Sequence, residues 1–173
     1  MLKYTEFQIT FSEVPDEVNL CINISNCPIR CPDCHSKHLW EDIGTELTTE
    51  ELSNLIESNK GVSCVVLMGG DNDVNEICKL AEHIKLTTAL KVCWYSGNSL
   101  NNDLPLEFFD YLKTGPYKGE LGGLNSAITN QRFYRVIDKT DVKGNLIYRY
   151  LDDITYKFQR SKYEANNKSK STD

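Results

Sequence analysis

A chain of 173 residues lies within the size of one domain and is long enough to bury a core without disulfide or metal staples. Its 25 acidic residues outnumber its 19 basic ones, and the formal net charge of −6 argues against nucleic acid as the main partner, because phosphate binding needs a concentrated basic surface. No apolar stretch approaches the roughly 20 residues of a membrane span, and the N-terminus carries no targeting pattern, so a cytoplasmic protein without a membrane partner is expected.

The first apolar segments, "YTEFQITF" (4–11) and "EVNLCINIS" (17–25), predict a strand pair joined through "SEVPDE". After a cysteine-rich loop, "LTTEELSNLIESN" opens with Thr48 and Glu51 at capping-box spacing. Leu47 and Leu52 stand at the positions of a hydrophobic staple, and Leu52, Leu55 and Ile56 mark one helical face. "GVSCVVLMGGD" is a short continuous apolar run ending in two glycines, the pattern of a strand buried on both faces. "DVNEICKLAEHIK" then repeats the helix signals, with Asp73 and Glu76 at capping spacing and Val74, Ile77, Leu80, Ala81 and Ile84 on one face.

"ALKVCWYSG" and "FFDYLKTGPY" continue the alternation, which predicts βαβ units and a parallel sheet. An eight-fold barrel takes roughly 250 residues, so the expectation is a compact partial (βα) barrel with mostly parallel strands. "RFYRVID" and "LIYRYLDD" around Lys143-Gly144-Asn145 predict a C-terminal antiparallel hairpin. One domain over 1–163 is expected, followed by a polar, disordered tail over 164–173.

Cys27, Cys31 and Cys34 crowd one loop of "INISNCPIRCPDCHSKHLW". In a reducing compartment an odd total of seven cysteines speaks for metal or redox chemistry over disulfides. A zinc site completed by His35 or His38, a redox thiol pair and an iron–sulfur cluster on three thiolates all remain open on spacing alone. Cys21, Cys64, Cys78 and Cys93 lie within apolar strands or on a helix face and read as small core residues.

The Cys27-x3-Cys31-x2-Cys34 spacing resembles the signature of radical S-adenosylmethionine (SAM) enzymes, and "MGGD" is similar to their glycine-rich motif after the second strand. The resemblance implies a 4Fe-4S cluster on Cys27, Cys31 and Cys34 whose fourth iron is open to SAM. It implies SAM contacts at Gly69, Gly70 and Asp71, the last where many members have Glu, and further contacts at Tyr95 and Ser96 of "YSG". Asp33 departs from the family at a position that is often aromatic and lies against adenine; His35 stands as its substitute.

"FDYLKTGPYKGELGGLNSAITNQRFYRV" narrows the resemblance to the activases of anaerobic ribonucleotide reductase, a compact group of glycyl-radical-enzyme activases. This implies a radical SAM fold, installation of a glycyl radical on the catalytic subunit of the reductase, and an electron donor such as a flavodoxin-type protein. A radical SAM enzyme acting on a small molecule and a non-catalytic zinc-binding α/β module are the alternatives.

Overall fold

The computed structural model describes residues 1–100 and 104–159; the tail expected over 164–173 lies outside them. In chain order the elements are β1 (Lys3–Thr10), β2 (Asn19–Ile24), β3 (Thr45–Glu46), α1 (Thr49–Ser58), β4 (Cys64–Met68), α2 (Val74–Thr87), β5 (Lys91–Tyr95), β6 (Tyr111–Thr114), β7 (Arg132–Thr140) and β8 (Leu146–Asp153). The strands form one sheet in the order β3-β1-β2-β4-β5-β6-β7-β8.

Both helices begin where the sequence places their caps. The Thr48 hydroxyl accepts the Glu51 N–H at 3.1 Å, and Asp73 accepts the Glu76 N–H at 3.1 Å. The Glu51 carboxylate accepts the Tyr4 hydroxyl at 2.5 Å, which ties α1 to β1. Leu52 and Leu55 of α1, with Ile77, Leu80, Ala81 and Ile84 of α2, pack on Leu20, Ile22, Val65, Leu67, Val92 and Trp94. Each of the leucine, isoleucine and valine side chains contributes roughly 2 kcal/mol when fully buried. Because β2, β4, β5 and β6 succeed one another in one direction, crossovers of the usual hand put both helices on the same face. The other face carries Cys21, Cys64, Val66, Cys93, Tyr111 and Phe133, covered by Val14, Ile154, Leu124 and Phe158 from loops and a 3₁₀ turn.

The barrel expectation is incorrect. Three strand pairs are parallel and four are antiparallel, so the sheet is mixed. It ends at β3 on one side and β8 on the other, and is therefore open. Only two α-helices occur among the described residues, and the β5–β6 connection contributes a 3₁₀ turn, Leu106–Phe108. The βα alternation extends only over the central strands. The chain's two ends add antiparallel β1 and the β7–β8 hairpin at its flanks, where they occupy the edges that closure would need. Among the described residues no helix is long and apolar enough to cross a membrane.

At the lower end of the sheet one carboxylate ties the starts of all four parallel strands. Glu17, just before β2, bonds Lys91 at the start of β5, accepts the hydroxyl of Ser63, just before β4, at 2.6 Å, and accepts that of Tyr111 at the start of β6 at 3.2 Å. Burial alone would push the Glu17 carboxyl up, but the bonds from Lys91 and Ser63 outweigh it and hold the group below its ordinary value. A depressed carboxylate adds stability above its unfolded-state pKa and loses it as pH falls through the folded value. Glu17→Gln is therefore expected to cost about 2 kcal/mol in urea unfolding at neutral pH. The gap between variant and wild type should shrink as pH falls below the ordinary carboxyl value of 4.5; a gap that stays constant into acid rules out the ionised network.

Candidate cofactor site

The parallel register levels the upper ends of four strands. Asn23 pairs with Met68, Met68 with Tyr95 and Tyr95 with Lys113, so the loops after β2, β4, β5 and β6 leave the sheet at one height. The loop after β2 holds the three cysteines. Its stem is closed by the Asn26 N–H on the Glu41 carbonyl and the Cys27 N–H on the Leu39 carbonyl, each at 2.9 Å. Asn26 and Arg30 adopt left-handed φ values of 59° and 47°, a cost that the surrounding hydrogen bonds offset.

Cys27 and Cys34 line a hollow of about 180 Å³ together with Met68, Gly69, Asp71, Tyr95, Ser96 and Lys113. Cys31 stands beside it, its Sγ accepting the Tyr117 N–H at 3.3 Å, while the Cys34 Sγ accepts the Ser36 N–H at 3.4 Å. All three thiols are free and half-buried. A second hollow of about 290 Å³, lined by Ser12, Glu13, Asn125, Gln131 and Phe158, shares Tyr95 and Lys113 with the first. The larger cavity, about 960 Å³, lies between α2 and the β5–β6 connection, is lined by Cys78 among others, and shares Ser96 with the first hollow.

The remaining expected contacts divide. Asp71 belongs to the hollow and is held by the loop after β5: Ser96 Oγ donates to Oδ1 at 2.5 Å, Asn98 Nδ2 to Oδ1 at 3.0 Å and the Gly97 N–H to Oδ2 at 3.0 Å. Tyr95 lines the wall, with its hydroxyl committed to the Glu13 carbonyl at 2.6 Å. Gly69 has φ +104°, and its carbonyl accepts the Trp94 indole N–H at 2.7 Å. Gly70 has φ +84°, and a Cβ there would meet Ile77 Cδ1 at 2.4 Å, so this glycine serves the seating of α2 on the sheet. Asp33 accepts the Gly119 N–H at 3.2 Å, and His35 Nε2 lies 3.4 Å from the Tyr117 hydroxyl; both are engaged by residues 115–119.

Lys113 escaped the sequence reading. It is the one basic residue of "FFDYLKTG", and a lysine in an apolar strand is rarely buried. Burial pushes its ammonium down to about 8, against the pull of Cys31, Asp71 and Cys27. Its Nζ donates to the Gly115 carbonyl at 2.9 Å. Gln131 is buried and donates to the same carbonyl at 3.3 Å.

These residues fit an iron–sulfur cluster. Two thiols accept backbone N–H bonds, the half-buried Lys113 lies beside them, and the Trp40 indole N–H in the wall of the hollow is buried with no partner among the described residues. Among those residues no three His, Cys, Asp or Glu side chains gather around one point. One zinc ion needs its thiolates about 3.8 Å apart, given Zn–S near 2.3 Å, whereas a cluster takes each thiolate at a different iron.

An open mixed sheet that carries three thiols of one loop above its parallel strands defines a cluster-binding α/β protein. Residues 18–137, more than two thirds of the chain, match the family model described as a 4Fe-4S single cluster domain. The chain belongs to that family. No curated protein and no solved structure matches it significantly.

Since a Cβ at Gly70 meets Ile77, Gly70→Ala is expected to lower apo-protein stability by about 3 kcal/mol through backbone strain and overpacking. The fraction that folds should still take up iron. A variant with unchanged thermal unfolding would contradict the seating role.

Proposed function

We propose that the chain is a radical SAM activase that installs a glycyl radical on the catalytic subunit of anaerobic ribonucleotide reductase. The observation that carries this reading is the convergence of Cys27 and Cys34 with the "GGD" loop of Gly69 and Asp71 on one hollow, with Cys31 beside it. Cys27, Cys31 and Cys34 are the residues that would hold three irons of the cluster and leave the fourth open. When bound, the cluster and SAM supply one electron and a carbon radical able to take a hydrogen atom from an unactivated C–H bond.

The chain's own part is binding and positioning. A carboxylate offers about four acceptor sites; Asp71 fills three with Ser96, Asn98 and Gly97, which leaves one for a ligand ammonium and fixes its direction. Lys113 offsets the negative charge of Cys31, Asp71 and Cys27. The two hollows on the cysteine-loop face, about 180 and 290 Å³, fall below the range of roughly 300–1,000 Å³ typical of small-molecule pockets and open to the surface, while the 960 Å³ cavity, which shares Ser96 with the first, lies under α2. A protein segment that completes the wall is the substrate class this favours, with a flavodoxin-type protein as the electron donor.

Cys27→Ala, Cys31→Ala and Cys34→Ala are each expected to abolish iron uptake on anaerobic reconstitution with the fold intact by circular dichroism. Cys64→Ala and Cys93→Ala, changed at fully buried core positions, should bind iron as wild type does. Full iron content in any of the first three removes that residue from the ligand set. For the reaction, deuterium on the reductase's target glycine should appear in 5′-deoxyadenosine when SAM, reductant and both proteins are mixed without oxygen. Efficient SAM cleavage driven by a small metabolite, with no label transferred, replaces the activase by a small-molecule enzyme.

A further inference from the structure

The loop after β6 reaches across to the cysteine loop and touches it at three points. The Tyr117 N–H donates to Cys31 Sγ at 3.3 Å, the Gly119 N–H to Asp33 Oδ2 at 3.2 Å, and the Tyr117 ring packs on His35 with centroids 5.3 Å apart. Its base is fixed as heavily. The Gly115 carbonyl accepts Lys113 at 2.9 Å and Gln131 at 3.3 Å, the Gly115 N–H donates to the Asn98 carbonyl at 2.7 Å, and Asn130 Nδ2 donates to the Pro116 carbonyl at 2.9 Å. Two glycines are required: Gly115 has φ +97°, and a Cβ on Gly119 would fall 2.8 Å from Asp33 Oδ2.

A loop anchored by four polar bonds at its base and aimed at a candidate ligand sulfur is built to do more than connect two strands. We infer that residues 115–119 are a brace that orients Cys31 and sets the reduction potential of the cluster, with Tyr117 the positioning residue. The inference rests on the assignment of Cys31 as a cluster ligand. An N–H donated to a ligating sulfur stabilises the more negative, reduced state, so it raises the potential. A partner bonded to a ligand also holds it in place, and loss of such partners typically weakens metal binding 10–100-fold. Among the described residues the Tyr117 phenol bonds and packs against His35, apart from Cys31, so the N–H and the phenol are separable by substitution.

The test uses the full chain, reconstituted with iron and sulfide without oxygen. Tyr117→Pro removes the N–H, and Gly119→Ala pushes the brace off Asp33. Both are expected to move the cluster's midpoint to a more negative potential in an EPR-monitored titration, and to speed iron extraction by a chelator about tenfold. Tyr117→Phe keeps the N–H and should keep the wild-type potential. Thermal unfolding of the apo proteins establishes that each variant folds; should Tyr117→Pro fail to fold, Gly119→Ala and Asp33→Ala carry the comparison. Wild-type potential and extraction rate in the folded brace variants, with Cys31→Ala iron-free, overturn the brace and leave the ligand assignment standing. Full iron content in Cys31→Ala overturns both.

Discussion

The level register of the four parallel strands is the constraint on which the site depends. Asn23, Met68, Tyr95 and Lys113 are direct neighbours in one row across the sheet. A slip of one residue in any of these pairings would turn Met68, Tyr95 or Lys113 to the opposite face and lift one loop out of line with the others. The register is held from both faces: Leu20, Ile22, Val65, Leu67, Val92 and Trp94 are buried under the helices, while Cys21, Cys64, Val66 and Cys93 are buried on the other side. Neither set tolerates exchange with the other.

The two ends of these strands solve opposite problems. At the lower end Glu17, Ser63, Lys91 and Tyr111 satisfy one another, and the charge of Glu17 is held among them. At the upper end the polar groups are left partly open. Among the described residues Asp71 keeps one acceptor site, Lys113 bonds to a single carbonyl, and Trp40 has an unpaired indole N–H. An incompletely satisfied buried group costs free energy that a ligand recovers on binding. The sheet thus closes one end for stability and leaves the other in debt to a cofactor.

Much of this was legible in the chain. The caps at Thr48 and Asp73, the buried helix faces, the central strands and the turn at Lys143-Gly144-Asn145 all follow from local patterns, because each depends on residues within a few positions of one another. The sheet's true extent did not follow. Whether the strand after β6 joins parallel or antiparallel is decided by pairings such as Tyr111 with Arg135, which leave no periodic mark. The site was half legible: the cysteines and "GGD" showed in their spacing. The direction of the Gly70 Cα–H toward Ile77, the burial of Lys113 and the grip of Tyr117 on Cys31 are facts of three dimensions.

The contact between Tyr117 and Cys31 joins residues 86 positions apart, as does that between Gly119 and Asp33. Translation at roughly 5–20 residues per second separates their synthesis by about 4 to 17 s. During that interval the cysteine loop has left the ribosome's peptidyl centre without the segment that shapes it. Cluster delivery that waits for the loop after β6 to dock would load a shaped site, and any earlier delivery would meet an unshaped one. The order of the chain thereby places the shaping of the cysteine loop after the synthesis of residues 115–119.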